Sequence, residues 1–298
     1  VNMDSDILTE LSSTSLNEMR NICGKSLPKT IRAHHFLYNY ARWGKEFSQT
    51  EINEKVLSDK CRVAFYGHRN GGIRNCTFFA VSGEKDYSVF VYTLQESGEE
   101  LRECLSKTKR IKWELNPLIV SLEQQHHKEL YRVFSVNCLV YVSSYILFLP
   151  KEIAISYEVE VPNDCFISPL CNDHAATIND VWPQKYPGSI DFVNTLINTN
   201  GGLGLFSKEN HKLLSWVLLF DNFCPGLLQT VDEARRKGYA EILTKALAKL
   251  ISEKYGLDIL IFVVKVNHPA LKLYSKLGFR KINSCTWMKV EDVEKLVQ

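Results

Sequence analysis

Residues 227–240, which read LLQTVDEARRKGYA, run from an extended apolar segment through a basic turn into a helix. Gly238 and Ala240 have little or no side chain, so a ligand can approach the unpaired backbone N–H groups at the start of that helix. From there on, apolar residues recur every three or four positions, which is typical of a helix with one buried face. They are Tyr239, Ile242, Leu243, Ala246, Leu247, Leu250 and Ile251.

The charges before this helix predict a binding site for an anion. Arg235, Arg236 and Lys237 are positively charged, and the helix dipole adds a partial positive charge at the same end. A basic segment with one glycine can also be a tight turn that binds no ligand. These residues alone therefore leave two alternatives, a turn without a ligand and a phosphate site.

The segment that follows has a pattern that supports the phosphate site. Ile259–Val266 is a nearly continuous apolar run, typical of a strand covered on both faces. Asn267 or His268 can then cap a short helix with Pro269 in its first turn, and Gly278 can end it. The inner side of that helix would hold Ala270, Leu273, Tyr274 and Leu277.

Two motifs in this region resemble those of the GNAT superfamily of N-acyltransferases. Arg235-x-x-Gly238-x-Ala240 is similar to the superfamily's loop for the diphosphate of coenzyme A, and Tyr274-x-x-x-Gly278-Phe279 is similar to its second signature. The resemblance implies acetyl-CoA or another acyl-CoA as co-substrate. It implies contacts to that molecule from Leu228, Thr230, Arg235, Arg236, Lys237, Gly238, Tyr239, Ala240, Asn267 and Tyr274.

Composition bounds the remaining possibilities. The 298 residues suffice for two domains, and 36 Lys+Arg against 34 Asp+Glu give no broad electrostatic case for nucleic acid. No apolar run reaches the roughly 18 residues that span a bilayer, so no membrane insertion is expected. Nine cysteines without a Cys-x-x-Cys pair predict reduced thiols in the cytosol rather than a disulfide framework. The expected localisation is cytoplasmic or mitochondrial. Cys165, Cys171 and His174 match no usual zinc spacing, so no metal is expected.

The first half of the chain predicts a mixture of helices and strands. We expect helices within 5–24, 51–58, 97–107 and 121–134, and strands at 31–40, 62–66, 76–81, 87–94 and 138–149. The middle three strands would form an antiparallel meander. His126 and His127 lie among polar residues, which predicts a solvated helix face rather than a metal or catalytic site.

The second half begins after a less apolar, Pro-containing stretch at 151–163. We place the domains at 1–155 and 164–298. The second would run helix, helix, three strands, helix, strand, helix, strand, which is the GNAT order. The predicted fold class is therefore α+β with a mixed sheet, in which a GNAT acyltransferase domain follows a degenerate GNAT-like domain.

Several further positions resemble glycine N-acyltransferases in particular. They are Ser26-Leu27-Pro28, His174-Ala175 with Trp182, Ser215-Trp216, and Thr230-x-x-Glu233-x-Arg235. This resemblance implies that the first domain is a degenerate copy of the acyltransferase fold. It also implies transfer of an acyl group from coenzyme A to the amino group of a small acceptor, most often glycine.

The resemblance also implies roles for single residues. A backbone N–H near Leu228 would meet the developing negative oxygen, and Thr230 would contact the pantetheine arm. Tyr274 would protonate the departing thiolate, unless it only packs in the core. Asn267 would bind the pantetheine or only cap its helix.

Cys224 stands where the family is expected to have its general-base glutamate. The thiol could be inert, could be a poor base, or could leave the proton to a chain of water. The base is therefore unassigned. Two other functions remain open, a protein or peptide N-acetyltransferase and a catalytically inactive acyl-CoA-binding protein. The sequence does not predict the oligomeric state.

Overall fold

The computed structural model describes residues 5–49, 57–84, 86–134 and 138–291. The chain divides into two units: unit 1 comprises residues 1–145 and 283–298, and unit 2 comprises residues 146–282. The domain bounds 1–155 and 164–298 stay a prediction.

Unit 1 contains a mixed sheet. Its strands, in order of pairing, are β1 (Leu8–Glu10), β2 (Val63–His68), β3 (Phe78–Ser82), β4 (Ser88–Tyr92) and β5 (Leu118–Glu123), followed by residues 283–290 of the last strand of the chain, Arg280–Val290. Neighbours are antiparallel except β4 and β5, which are parallel. The strand Cys138–Leu149 begins in this unit. The predicted meander at 62–94 and the predicted strand at 138–149 are confirmed.

The helices of unit 1 are α1 (Ser13–Gly24), α2 (Ile31–Gln49), α3 (Gly72–Asn75), α4 (Glu99–Lys107) and α5 (His127–Val133). Ser12 caps α1, because its hydroxyl accepts from the Ser15 N–H at 3.1 Å. Leu101 of α4 and Leu130 of α5 are fully buried against sheet residues such as Val89 and Ile119. One part of the core of unit 1 therefore lies between these two helices and the sheet.

The strand predicted at 31–40 is wrong, because these residues form the first half of α2. Aromatic residues that alternate with polar ones suggested a strand, yet Phe36, Tyr40 and Trp43 follow helical spacing and contact one another in edge-to-face geometry. The buried face of α2 also includes the polar residues Arg32 and Asn39. Because these residues interrupt the helical recurrence of apolar residues, the sequence pattern did not indicate a helix. The helix predicted at 51–58 falls mainly on residues 50–56, which lie outside the described residues.

The helix predicted at 121–134 is only partly correct. Its first residues complete β5, and α5 begins at His127. His126 is buried, so the predicted solvated face is wrong. Its ring meets Tyr92 edge-on with centroids 5.6 Å apart, and burial lowers the pKa of His126 to about 4.

Unit 2 contains an antiparallel sheet in which β10 (Pro225–Thr230) pairs with β9 (Leu213–Leu219), β9 with β8 (Gly202–Ser207), and β8 with β7 (Cys165–Pro169). After the end of β6 (Cys138–Leu149), its elements are α6 (Lys151–Ile155), β7 (Cys165–Pro169), α7 (Ala175–Asp180), α8 (Ser189–Thr199), β8 (Gly202–Ser207), β9 (Leu213–Leu219), β10 (Pro225–Thr230), α9 (Tyr239–Tyr255), β11 (Ile259–Val264), α10 (His268–Lys276) and the start of β12 (Arg280–Val290). The predicted order is confirmed, with β7 as an additional strand before the two helices.

Helix α9 covers the antiparallel sheet of unit 2. Leu243, Leu247 and Ile251 are at most 2% exposed and form its buried stripe, as the sequence period predicts. Strand β10 is the edge strand of this sheet, while β11 pairs with β6. An unpaired gap therefore opens between β10 and β11. Within the described ranges, no helix is long and apolar enough to cross a membrane.

Candidate functional site

Strand β10 carries a bulge at its centre. Pro225 and Gly226 pair with β9 in one register, and pairing resumes at Gln229 in another. The register skips Leu227 and Leu228, and Leu227 has a φ of 51°, which a leucine rarely adopts. A bulge turns backbone groups away from the neighbouring strand. The N–H predicted to act near Leu228 thus lies in an irregular part of an edge strand.

The turn between β10 and α9 leaves the start of the helix open. Gly238 is the residue before α9 and has a φ of 81°, the left-handed region that suits glycine. No side chain of the described residues caps α9, so the N–H groups of Tyr239 and Ala240 are available to a ligand. A Cβ atom at Gly238 would have no atom within 4 Å. The space in front of the helix is therefore open.

Two cations beside this opening lack counter-charges. Arg236 and Lys237 are exposed and form no ion pair within the part of the chain that the structure describes. Arg235 is engaged, because its guanidinium lies 2.8 Å from the Asp232 carboxylate and its Nε donates to the Thr230 carbonyl at 3.4 Å. The net field at the helix start favours an anion.

The Tyr239 side chain turns away from this opening. Its ring is buried, and its hydroxyl accepts from the Cys165 thiol at 3.6 Å. Burial raises the pKa of Tyr239 to about 12. Tyr239 therefore offers a ligand its backbone N–H, while its side chain fixes the helix to β7.

Cys224 lies just before β10, with its sulfur against the backbone N–H of Phe262 in β11. The thiol is 2% exposed and donates to the Pro225 carbonyl at 3.3 Å. Burial raises the pKa of Cys224 to about 12. The group is a neutral thiol at physiological pH and cannot accept a proton from an amine.

Tyr274 lies on the inner face of α10, near Cys224. Its ring meets Phe279 edge-on at 5.3 Å, so both aromatic residues of the second motif pack together. Burial, with a smaller effect of Cys224, raises the pKa of Tyr274. The hydroxyl thus keeps its proton across the physiological range, as a proton donor must.

Two other predicted residues have local structural partners. Asn267 caps α10, because its Oδ1 accepts from the Ala270 N–H at 3.2 Å. The Thr230 hydroxyl shares a hydrogen bond of 2.8 Å with Ser215 of β9. Contacts of either residue to pantetheine stay predictions, as do the other predicted roles at this site.

The sequence missed two features of the site. Asp232 holds Arg235, a pairing that depends on the conformation of the one-turn helix Asp232–Ala234. Leu227 forms the bulge, and no residue type in this stretch signals it. Among the described residues, no group of three or more His, Cys, Asp or Glu side chains could hold a metal ion.

Family models match both halves of the chain. Residues 202–288 match the model described as FR47-like protein. Residues 7–133 match a domain of unknown function, DUF5645. No curated protein matches the chain.

Solved structures resemble the chain along most of its length. A Drosophila protein is 25% identical with a TM-score of 0.85, covering 96% of this chain and 99% of its own. A tandem GNAT protein from the clavulanic acid biosynthesis pathway is 8% identical with a TM-score of 0.55, covering 95% and 97%. A putative acetyltransferase from Pyrococcus horikoshii is 13% identical with a TM-score of 0.54, covering 100% and 93%. The chain has a two-domain GNAT fold.

Proposed function

We propose that the chain is an acyl-CoA-dependent N-acyltransferase that moves an acyl group to the amino group of a small acceptor, such as glycine or another amino acid. One observation carries the proposal: the uncapped start of α9 opens beside the unpaired cations Arg236 and Lys237. These groups fit the diphosphate of coenzyme A, because backbone N–H groups, a helix dipole and positive side chains converge on one open volume.

The gap between β10 and β11 suits the thioester end of the same molecule. The acceptor nitrogen forms a bond to the acyl carbon, the carbon–sulfur bond breaks, and the thiolate of coenzyme A leaves. Negative charge develops on the acyl oxygen, and a backbone N–H at the bulge near Leu228 would stabilise it. The Tyr274 hydroxyl would give the leaving sulfur a proton, and the proton that the new amide nitrogen loses would pass through solvent and restore the hydroxyl.

The proton of the acceptor ammonium must leave before the attack. Cys224 cannot take it, because its thiol is already protonated at neutral pH. We therefore assign the deprotonation to solvent. An acceptor that is partly neutral at physiological pH would react faster than one that is fully protonated.

The buried, neutral Cys224 also favours a second candidate function, an acyl-CoA-binding protein without catalysis. Release of free thiol from acetyl-CoA with a panel of amino acids separates the two, because only the enzyme releases thiol in an acceptor-dependent way. Peptides in the same panel test the remaining alternative, a protein or peptide N-acetyltransferase.

The phosphate site is tested by removing its two unpaired cations. Charge-assisted hydrogen bonds contribute ~1.5–3 kcal/mol each, so Arg236→Ala with Lys237→Ala should weaken coenzyme A binding by about 100-fold or more. Calorimetric titration with coenzyme A measures this. Lys185→Ala with Lys208→Ala removes two exposed lysines elsewhere in unit 2 and should leave affinity unchanged. Equal affinity of both double variants would rule out the phosphate site.

The role of Tyr274 is tested by removing only its hydroxyl. General acids contribute about 10²–10⁴-fold to rate, so Tyr274→Phe should lower kcat by about 100-fold or more. The ring and its contact with Phe279 remain, so the melting temperature and the affinity for coenzyme A should equal those of the wild type. Turnover equal to wild type across the pH range would show that Tyr274 only packs in the core.

A further inference from the structure

Unit 1 contains a second copy of the backbone arrangement that forms the candidate site of unit 2. Strand β4 leads through Gly98, with a φ of 66°, into α4, as β10 leads through Gly238 into α9. The next strand, β5, pairs with β4 at Ser88–Leu118 and Val89–Ile119, where the parallel pairing ends. Unit 1 thus has its own glycine-preceded helix and its own gap between parallel strands.

The helix start in unit 1 is already capped by its own loop. The Glu100 N–H donates to the Gln95 side chain at 2.8 Å, and the Glu99 N–H donates to the Ser97 hydroxyl at 3.5 Å. The Gly98 N–H donates to the Gln95 carbonyl at 3.1 Å. Backbone donors of the kind that are free at α9 are therefore taken at α4.

A buried carboxylate also covers this helix start. A Cβ atom at Gly98 would lie 2.7 Å from Cγ and 2.9 Å from Cδ of Glu129, whereas the same atom at Gly238 would meet nothing within 4 Å. Glu129 is fully buried, and its carboxylate accepts from Arg102 at 2.8 Å and from Arg132 at 3.0 Å. The Glu129 carboxylate therefore lies at the start of α4, between two arginines.

The gap between β4 and β5 is filled by Arg32 of α2. Its guanidinium donates to the Val91 carbonyl of β4 at 2.9 Å, and to Ser121 at 3.1 Å and Glu123 at 2.8 Å on β5. The group also stacks on Phe90, 4.0 Å from the ring centroid, and is 1% exposed. A side chain therefore bridges the two strands at the point where they separate.

We propose that two side chains of unit 1 occupy the places that correspond to the coenzyme A site of unit 2. Glu129 takes the place of the diphosphate, and Arg32 takes the place of the pantetheine arm. The chain then binds one acyl-CoA, and unit 1 takes none. The number of molecules bound rests on the proposed function of unit 2, whereas the self-occupied state of unit 1 does not.

The stoichiometry is measured by calorimetric titration of the wild-type chain with coenzyme A. We expect one molecule per chain, and no remaining site after Arg236→Ala with Lys237→Ala. Two molecules per chain would overturn the self-occupied state of unit 1, whereas one molecule that binds the double variant with unchanged affinity would contradict the phosphate site of unit 2. Complete absence of binding in the wild type would instead contradict the proposed function of unit 2.

The internal anion is tested by chemical rescue. Glu129→Ala leaves Arg102 and Arg132 without their carboxylate, beside a cavity of about 390 Å³ that both arginines line. We expect a lower melting temperature, restored in part by acetate or formate but not by neutral acetamide. The control is Glu103→Ala, which removes a partly exposed carboxylate that lines the same cavity and pairs with Lys107, and which should show no selective rescue.

If Glu129→Ala does not fold, Glu129→Gln keeps the side-chain volume and removes only the charge. It should melt below Glu103→Gln, because the two arginines then surround a neutral group. Melting at the wild-type temperature, or acetate and acetamide acting alike on Glu129→Ala, would contradict the assignment of Glu129 as an internal anion.

Discussion

Cys224 lies close to Tyr274 and to the backbone N–H of Phe262 in β11, so its protonation state bears on proton transfer at the proposed site. A thiol with a pKa of about 12 is half ionised at that pH and almost entirely protonated near neutral pH. At pH 7 only about one molecule in 10⁵ would carry the thiolate, by the definition of pKa. Cys224 therefore adds no titration to activity between pH 6 and 9.

We expect Cys224→Ala to keep the pH dependence of kcat over that range, with turnover within about threefold of wild type. Cys224→Glu places a carboxylate at the same point, and burial should raise its pKa above the ordinary value. Turnover of that variant should increase as pH rises through this pKa, because the carboxylate then accepts a proton. Cys165→Ala controls for loss of a buried thiol in unit 2. A change in the pH profile of Cys224→Ala would contradict the neutral-thiol assignment.

At this scale, the sequence predicted the local placement of the residues in the basic turn, whereas their roles stay predictions. Arg236, Lys237 and Gly238 are exposed at a helix start, because glycine readily adopts the positive φ of the residue before a helix and charged residues favour the surface. The positive φ of Leu227 could not be predicted, since leucine has no preference for it. The buried state of His126 depends on Tyr92, which lies 34 positions away in sequence, and no local pattern reports that contact.

Among the elements, α9 was predictable and α2 was not. Helix α9 has an apolar stripe at regular spacing and a glycine at each end, Gly238 and Gly256. Helix α2 buries Arg32 as part of a hydrogen-bonded network, so its inner face contains residues that a periodicity rule counts as polar. An element that buries paired polar groups is therefore harder to predict than one that buries only apolar groups.

The two ends of α9 allow conformational strain to be separated from ligand binding. Gly238 and Gly256 have φ values of 81° and 67°, and a Cβ atom at either would meet nothing within 4 Å. Alanine at each should cost ~1–2 kcal/mol of backbone strain and lower the melting temperature by about 2–4 °C per kcal/mol. Only Gly238→Ala should also weaken coenzyme A binding, because only that end faces the basic turn. Equal affinities in the two variants would mean that the start of α9 does not bind the ligand.

For the whole molecule, the sequence predicted two α+β halves and the order of elements in the second. It did not predict that residues 283–290 pair with β5 in unit 1, where Met288 lies opposite Ile119. Two apolar strand patterns 169 positions apart carry no information about their register. The self-occupied state of unit 1 was equally hidden, since Glu129 and Gly98 meet only in the folded chain.

Acid should destabilise the chain through two histidines of unit 1. Burial lowers the pKa of His34 and of His126 to about 4, whereas an unfolded histidine has a pKa of about 6.5. Between pH 4 and 6.5 the unfolded state binds more protons than the folded state. The contribution of the two neutral histidines to stability is therefore complete above pH 6.5 and is lost as the pH falls towards 4. Each histidine contributes a slope of up to about 1.4 kcal/mol per pH unit.

His126 provides the sharper test, because its Nε2 is buried without a hydrogen-bond partner among the described residues. Its charged neighbours are Glu123, Arg32, His127 and Glu129, and burial outweighs the two carboxylates that favour protonation. Glutamine at position 126 cannot titrate. The free energy of unfolding of His126→Gln should therefore fall less steeply between pH 6.5 and 4.5, by up to about 1.4 kcal/mol per pH unit, which is the slope that one bound proton contributes. Urea unfolding at several pH values measures this slope. His268→Gln changes an exposed histidine in unit 2 and should keep the wild-type slope. If His126→Gln also keeps it, the neutral state of His126 does not contribute to acid sensitivity.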